Sequence, residues 1–189
     1  MDNPDTIIRR GAITEIVGRL SSGRSSLLLA GWHRCLGRGG VAAVVDADGA
    51  FDPESAAAAG IDTRRVLWVR CRGRRDVALR ATDLLVRCPG FTLVVLDGGE
   101  TPPFLSLAAA YRLKLAVRRA DTALVIVGSR PIAGASASLV VETIPRGPEW
   151  TGAGTSVRRL AGARTEMRVR RAQGAAPASE PVAWRWRAR

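Results

Sequence analysis

The sequence predicts an α/β fold, a three-layer sandwich with a mostly parallel central sheet and antiparallel strands at its C-terminal edge. Three observations predict it. Short β-branched runs alternate with longer helical stretches from Gly11 to Val127, the pattern of strands joined by crossover helices. Residues 92–97 (TLVVLD) form a continuous apolar run, typical of a strand buried on both faces. Residues 165–171 and 182–186 alternate instead, which favours antiparallel edge strands.

Each element follows from its local pattern. The core strands are predicted at residues 12–17, 41–46, 66–69, 92–97 and 122–127, and the helices at 25–36, 53–59, 76–87 and 104–119. Pro53 suits the first turn of its helix and Gly60 its end. Beyond residue 128 the sequence predicts a strand at 138–144, a Gly/Pro-rich loop at 145–154 and a loop at 173–181.

The chain is interpreted as one domain, because its 189 residues suffice for a single good-sized core. Residues 1–10 are a lead-in, residues 11–128 form a core that contains a phosphate-binding loop, and residues 129–189 supply basic edge strands and loops. Three cysteines without metal-ligand spacing indicate reduced thiols. With neither a leader pattern nor a long apolar run, we expect a cytoplasmic protein without a membrane segment.

Basic residues exceed acidic ones by 29 to 17, a net charge of +12, and Lys114 is the only lysine. A GC-rich genome would explain the arginine-to-lysine ratio but not the net charge. A basic surface attracts polyanions, so a nucleic acid or an acidic protein partner is favoured. The arginines that we expect to contact such a partner are Arg70, Arg72, Arg74, Arg75, Arg168, Arg170 and Arg171.

Two tryptophans, Trp184 and Trp186, alternate with arginines at the C-terminal end. Arginine beside tryptophan can bind single-stranded DNA by phosphate contact and base stacking. The alternative, which we favour for the tryptophans, is that they pack onto the core from one strand face.

The segment from Gly18 to Ser25 (GRLSSGRS) fits the phosphate-loop pattern G-x-x-x-x-G-K-[ST], except that Arg24 replaces the lysine. It stands between a predicted buried strand and a helix, the context that this motif requires. Backbone N–H groups and the helix N-terminus would present positive charge to phosphates. The alternative is a strand-to-helix turn that binds nothing. The predicted nucleotide-binding residues are Gly18, Ser21, Ser22, Gly23, Arg24, Ser25, Ser26 and Asp97.

Three blocks of sequence in order resemble the RecA recombinase core. They are GAITEIVGRLSSGRSSLLLA at residues 11–30, VVDADGAFDPESAAAAGID at 44–62 and LVVLDGG at 93–99. The resemblance runs without an obvious gap from Gly11 to about Gly99 and is looser through TALVIVGSRPI and RTEMRVRRA. It implies a RecA-like three-layer fold and binding of ATP or ADP with Mg²⁺, held by Ser25 and Asp97.

The departures from that pattern concern hydrolysis. By resemblance, the catalytic glutamate corresponds to Asp48, which is one methylene shorter, and a general base must lie within hydrogen-bond reach of its water. The adenine-stacking tyrosine corresponds to Ser55, the γ-phosphate-sensing glutamine to about Ser129, and the lysine to Arg24. Arginine and lysine are not interchangeable at such a site. We therefore expect poor or absent ATP turnover, and nucleotide binding itself stays open.

The chain begins almost at the first core strand, and residues 129–138 form only a compact loop where the family has a long DNA-binding loop. We therefore expect no self-assembling filament. As a short RecA-like sequence with altered site residues, the chain resembles the ImuA and SulA-like proteins of the bacterial SOS response. The resemblance implies an accessory role in translesion synthesis, with a polymerase-type protein, RecA or single-stranded DNA as partner. The alternatives are an ATP-dependent DNA-binding ATPase and an inhibitor of RecA or of cell division.

Overall fold

A computed structural model describes residues 7–36, 39–152, 157–173 and 182–187. Within them lies one eight-stranded sheet with the order β3-β2-β4-β5-β1-β6-β7-β8. The strands are β1 (Ile13–Gly18), β2 (Val41–Asp46), β3 (Val66–Arg70), β4 (Phe91–Asp97), β5 (Ala123–Gly128), β6 (Leu139–Thr151), β7 (Arg159–Ala172) and β8 (Val182–Arg187). The helices are α1 (Arg24–Leu36), α2 (Pro53–Ala58), α3 (Arg75–Arg87) and α4 (Leu107–Ala120).

The first six strands are mutually parallel, and β7 and β8 add antiparallel pairs at one edge. This confirms the predicted fold class. The carboxyl ends of the six parallel strands meet at one edge of the sheet, which is where α/β proteins of this kind bind ligands. The loop after β1 lies there between the ends of β5 and β6, because β1 pairs with both.

Two apolar layers cover the two faces of the sheet. On one face, α3 and α4 pack through Ala78, Leu113 and Val117 onto inward residues such as Leu96 and Leu124. On the other face, α1 and α2 contribute Leu27, Trp32 and Ala56 to a core that includes Ile16 and Val125. Strands buried on both faces are expected to read as continuous apolar runs, and β4 and β5 do so.

The structure corrects the prediction of a loop at residues 145–154. Strand β6 continues to Thr151, and its antiparallel pairing with β7 shifts register between Pro145 and Gly147 and again between Glu149 and Trp150. Proline cannot donate a ladder hydrogen bond, and bulges let such residues lie within a strand. The glycines and prolines therefore lie at irregularities within the long β6–β7 hairpin and do not end strand β6.

Helix α4 begins later than residue 104. It starts at Leu107, because the Ser106 hydroxyl accepts a hydrogen bond from the N–H of Ala109 and caps the helix. The loop predicted at 173–181 lies outside the described residues except for Gln173, which is in a turn.

A buried acid fixes the compact loop at residues 129–138. Glu15, fully buried in β1, accepts hydrogen bonds from the N–H groups of Ile132 (2.6 Å) and Ala133 (2.9 Å). Burial raises the pKa of Glu15, and these two hydrogen bonds and the charge of Arg171 oppose the rise. The loop is thus tied to the central strand of the sheet.

Among the helices that the structure describes, none combines the length and the apolar character needed to cross a lipid bilayer.

Candidate nucleotide-binding site

The predicted phosphate loop joins the end of β1 to the first residue of α1 at the carboxyl edge of the sheet. Ser21 and Gly23 both have left-handed backbone conformations, with φ of 59° and 92°. Glycine is required at position 23, because a Cβ there would also lie 2.6 Å from the hydroxyl of Thr165. The loop therefore turns the chain sharply into a helix whose first N–H groups lack intrahelical partners.

A cleft of about 270 Å³ lies beside the loop. It brings together five of the predicted binding residues with one exposed leucine and two residues of β7: Ser21, Gly23, Arg24, Ser25, Ser26, Leu20, Ala163 and Thr165. Helix N-termini with adjoining glycine-rich loops bind phosphate groups. The cleft therefore has the chemistry of an anion site.

Gly18 and Ser22 do not line this cleft but hold the loop from behind. The hydroxyl of Ser22, fully buried, lies 2.6 Å from that of Thr143 in β6. Thr165 in β7 donates a hydrogen bond to the carbonyl of Ser22 at 3.1 Å. A Cβ on Gly18 would overlap both Thr143 and Ser22. Two strands of the C-terminal hairpin thus fix the conformation of the phosphate loop.

The Arg24 side chain points back across the loop and is already engaged. Its Nη1 donates to the Gly18 carbonyl at 2.8 Å, and its Nη2 forms an ion pair with Oε1 of Glu100 at 2.6 Å. The Arg24 side chain is 10% exposed and that of Glu100 is 50% exposed. The ion pair leaves the loop with an internally neutralised cation.

Asp97 stands at the end of β4, beside Asp46 at the end of the neighbouring strand β2. Burial raises the pKa of Asp97, and the negative charges of Asp46 and Asp48 raise it further. The N–H of Gly99, which donates to Asp97 at 3.0 Å, and the charge of Arg24 lower it. A carboxylate that is desolvated among other acids is stabilised by an added cation.

Asp46 itself is structural. Its carboxylate, fully buried, accepts hydrogen bonds from three successive N–H groups of the following loop and from the Trp68 indole at 3.1 Å. The three donors are Gly49, Ala50 and Phe51, at 2.7, 3.0 and 3.1 Å. This arrangement shapes the loop that carries Asp48.

Asp48, at the position that resembles the catalytic glutamate, forms an ion pair with Arg75 at 2.6 Å. Arg75 also donates to the Thr101 carbonyl at 2.7 Å. A Cβ on Gly99 would overlap the Asp48 carboxylate, so the side chain packs directly on that residue. The arginine holds the carboxylate against the loop after β4 and engages one of its oxygens, although the side chain is 36% exposed.

Ser55 and Ser129 also have structural partners. The Ser55 hydroxyl donates to the carboxylate of Asp52, the N-cap residue of α2. Ser129 donates through its hydroxyl to the Glu100 carbonyl at 2.7 Å and through its N–H to that of Gly99 at 3.2 Å. Ser129 therefore links the end of β5 to the segment that carries Glu100.

Two oxygen donors beside the phosphate loop are relevant to binding a magnesium ion. The described residues hold no group of three or more His, Cys, Asp or Glu side chains arranged to bind a metal. Mg²⁺ in nucleotide sites is held by one or two protein oxygens, with phosphates and waters completing the shell. The exposed Ser25 hydroxyl and the Asp97 carboxylate are oxygen donors of that kind, so the chemistry fits.

The arginines predicted to contact a partner form two groups that lie far apart, a first group at residues 70–75 and a second group at residues 168–171. Strands β3 and β7 are the first and seventh in the sheet order, so they are separated by six spacings of about 4.8 Å, roughly 29 Å. Arg70 is the last residue of β3 and lies at the carboxyl ends of the parallel strands. Arg170 and Arg171 lie at their amino ends, beside the start of β6. The sequence could not show this separation.

The groups also differ in pairing. In the first, Arg70 lies over the Trp68 ring at 4.8 Å and Arg75 pairs with Asp48, whereas Arg72 and Arg74 form no ion pair with any described residue. In the second, Arg168 and Arg170 pair with Glu166 and Glu142, and Arg171 donates to the Gly134 carbonyl. The side chains of Trp184 and Trp186 lie outside the described part of the structure.

Sequence reasoning missed four residues that shape the site. Thr143 and Thr165 come from strands more than a hundred residues away along the chain, and no local pattern connects them to the loop. Arg75 was assigned to a partner surface although it binds Asp48. The role of Asp46 could have been predicted from the sequence, because an acid at the end of a buried strand requires hydrogen-bond partners.

Comparisons with known proteins agree with this geometry. A model of the RecA N-terminal domain matches residues 6–101. Protein RecA of Francisella philomiragia is 40% identical over 88 residues, which cover 47% of this chain and 24% of that protein. Protein RecA of Francisella tularensis subsp. novicida gives the same identity and coverage. The matched segment is thus about a quarter of the length of these relatives.

A crystal structure of the RadB recombinase is similar in fold. It superposes with a TM-score of 0.61 at 17% sequence identity, covering 95% of this chain and 88% of that chain.

Proposed function

Since the chain belongs to the RecA N-terminal domain family, we propose that it is an accessory protein of DNA repair or translesion DNA synthesis that turns over ATP weakly or not at all. It acts in this proposal by binding protein partners, and single-stranded DNA as a second ligand. The partner is a translesion polymerase-type protein, RecA or both, and the setting is the cytoplasm during an SOS-type damage response.

One observation carries the non-catalytic part of the proposal. The two charged groups on which hydrolysis would depend, Arg24 and Asp48, are each held in an ion pair of 2.6 Å by another residue of the chain. Electrostatic catalysis relies on charged groups aimed at the reacting phosphate, and general-base catalysis on a carboxylate within reach of water. While these pairs persist, Arg24 is not free to face a phosphate, and one oxygen of the shorter carboxylate of Asp48 is engaged by Arg75.

Nucleotide binding without efficient turnover is compatible with the same site. In this proposal ATP or ADP binds by its phosphates at the cleft beside residues 21–26, and Ser25 and Asp97 hold Mg²⁺. The bound ion would neutralise phosphate charge. For a phosphate to contact Arg24, the ion pair between Arg24 and Glu100 must break. Nucleotide binding and the position of the segment after β4 are therefore coupled.

Two measurements test the proposal. The first is steady-state ATPase activity with and without single-stranded DNA, for the wild type and for Asp97→Ala. We expect turnover at background in both, and DNA-stimulated turnover that vanishes in Asp97→Ala would overturn the non-catalytic role. The second is affinity capture from cells after DNA damage, read by mass spectrometry, in which a polymerase-type protein or RecA is expected above the undamaged control.

A DNA-dependent ATPase is the second candidate function. It is favoured by one observation, the cleft of about 270 Å³ that keeps the Ser25 hydroxyl and the helix N-terminus accessible. The ATPase measurement decides between the two functions.

A further inference from the structure

The face of the sheet opposite the phosphate loop's helix carries an apolar groove between α3 and α4, with a volume of about 410 Å³. Its floor includes the buried side chains of Leu105 and Leu113, and its wall on α3 includes Leu84, which is 69% exposed. Exposed large apolar side chains that adjoin a groove mark interaction sites more often than isolated ones do. None of the residues discussed for nucleotide binding lines this groove.

More apolar surface lies nearby. Phe104, Leu107 and Tyr111, on α4 or just before it, are 82%, 78% and 57% exposed. Leu107 and Tyr111 are one helical turn apart and share the side of α4 that faces away from the groove, because Ala109, Arg112 and Leu113 are the α4 residues that line it. Within the groove, covering Leu84 and the leucines of the floor would remove apolar area from water at roughly 25 cal/mol per Å², a driving force for binding an apolar partner surface.

The charges around the groove define the partner. Arg80 on α3 and Arg112 on α4 line it, are exposed, and form no ion pair within the described residues. Asp83, the one acid among the lining residues, is neutralised by Arg87 at 2.8 Å. The groove is therefore apolar at its floor and positive at its sides.

We propose that the α3–α4 groove docks an amphipathic helix of a partner protein, with apolar residues on one side and acidic residues beside Arg80 and Arg112. An amphipathic helix places apolar anchors at i, i+3 or i+4, and i+7, the arrangement by which helices occupy such grooves. The inference rests on the proposed accessory role and identifies the surface through which the protein would bind its partner.

The residues of the groove favour an acidic amphipathic helix over two other occupants, a second copy of the chain and single-stranded DNA. A second copy of the chain would bring a net charge of +12, and several of its described acids, such as Asp48, Glu142 and Glu166, are already paired with arginines. Single-stranded DNA would need stacking aromatic rings within the groove, but the lining residues there are leucine, alanine, arginine and aspartate.

The test uses the full chain and two fluorescent peptides about five helical turns long. Both peptides carry leucine on one face, and the flanking positions are glutamate in one and lysine in the other. Fluorescence anisotropy should show the glutamate peptide binding at least about tenfold more tightly than the lysine peptide. The charge reversal R80E/R112E should invert this preference, and Leu84→Ser should weaken binding of the glutamate peptide about fivefold or more.

Matched variants separate the groove from general basic charge. R158E/R159E changes the net charge equally at a distant, exposed site and should leave the preference unchanged, as should Leu160→Ser at another exposed leucine. Equal losses in both charge-reversal variants, or no difference between the peptides, would overturn the proposal. Dimers that are seen in sedimentation for the wild type but not for Leu84→Ser would also overturn it. So would an oligonucleotide that binds through Arg80 and Arg112 while the glutamate peptide does not bind.

Failure of the groove and failure of the accessory role are distinguishable. If a polymerase-type protein is captured equally by the wild type and by R80E/R112E, the accessory role stands and the groove proposal fails. If the glutamate peptide binds the groove but the protein is a DNA-stimulated ATPase, the accessory role fails while the docking surface stands.

Discussion

The guanidinium of Arg24 and the carboxylate of Glu100 lie 2.6 Å apart and connect the first residue of α1 to the segment after β4. The same guanidinium donates to the carbonyl of Gly18 at the end of β1. A phosphate that entered the cleft would compete with Glu100 for Arg24, since both are anions. Glu100 therefore engages the guanidinium that a bound phosphate would contact.

Removing this competitor should strengthen nucleotide binding. We expect Glu100→Ala to bind a fluorescent ATP analogue with Mg²⁺ about three- to tenfold more tightly than the wild type, since one charge-assisted hydrogen bond contributes roughly 1 kcal/mol or more. Titration by fluorescence measures the effect. Glu54→Ala, which removes an exposed acid from α2, is the control and should not change affinity. Equal affinities for Glu100→Ala and the wild type would contradict the competition.

Placing glutamate at position 48 and lysine at position 24, as in the RecA pattern, should raise ATP turnover. The double variant Arg24→Lys with Asp48→Glu should hydrolyse ATP at least about tenfold faster than the wild type, because a correctly placed general base contributes 10²–10⁴-fold. Phosphate release with single-stranded DNA present is the readout. Arg24→Lys alone should change binding but not turnover. If the double variant stays at background, the hydrolytic defect lies elsewhere, for instance at Ser55 or Ser129.

The raised pKa of Asp97 predicts a dependence of stability on pH. Because the folded state holds this proton more tightly than the unfolded state, folding binds protons, and stability falls as the pH rises from the ordinary value of 3.8 through the folded pKa. Asp97→Asn removes this penalty. We expect it to stabilise the ligand-free protein at neutral pH by about 1 kcal/mol, a rise in Tm of roughly 2–4 °C.

Thermal unfolding at several pH values checks this expectation. The advantage of Asp97→Asn should shrink as the pH falls through the folded pKa toward 3.8 and should be absent well below 3.8, because the wild-type carboxyl is then neutral in both states. Asp83→Asn, at an acid on α3 with its own arginine, is the control and should not stabilise. A neutral-pH Tm for Asp97→Asn at or below that of the wild type would count against the electrostatic account.

The buried hydroxyl pair between Ser22 and Thr143 should support the fold of the loop. Thr143→Val keeps the shape of the side chain but leaves the Ser22 hydroxyl without its partner at 2.6 Å. An unpaired buried hydroxyl costs about 1–3 kcal/mol, so we expect Tm to fall by roughly 2–12 °C. Thr101→Val, at an exposed threonine, should leave Tm unchanged. A wild-type Tm for Thr143→Val would show that the pair contributes nothing.

The arginines of the first group should dominate any binding to single-stranded DNA. The triple change of Arg70, Arg72 and Arg74 to alanine should weaken binding of a labelled oligonucleotide more than the same change at Arg168, Arg170 and Arg171. The reason is that two arginines of the second group are already paired with glutamates. Anisotropy at two salt concentrations should show a smaller salt slope for the first variant. The reverse order would assign the DNA-binding role to the β7 edge.

Much of the fold was predictable because its signals are local. Strand β2 was predicted with the bounds that the structure gives, Val41–Asp46, since glycines precede a continuous apolar run. Helix α2 was predicted to within one residue from Pro53 and Gly60. The main errors have different causes. At Ser106 a side-chain cap set the start of α4. At Pro145 pairing between β6 and β7 outweighed the local composition, and the same pairing starts β7 at Arg159 rather than at residue 165.

The site was predictable only as a set of positions. Residue types at fixed spacing predict the phosphate-loop pattern and the acid that ends β4, and the resemblance to the RecA core predicts the substitutions at positions 24, 48, 55 and 129. Only the tertiary structure decided what those side chains contact. Glu100 and Arg75 reach Arg24 and Asp48 across 76 and 27 residues of chain, and ion pairs of that range depend on how parallel strands are ordered in the sheet, which residue spacing does not encode.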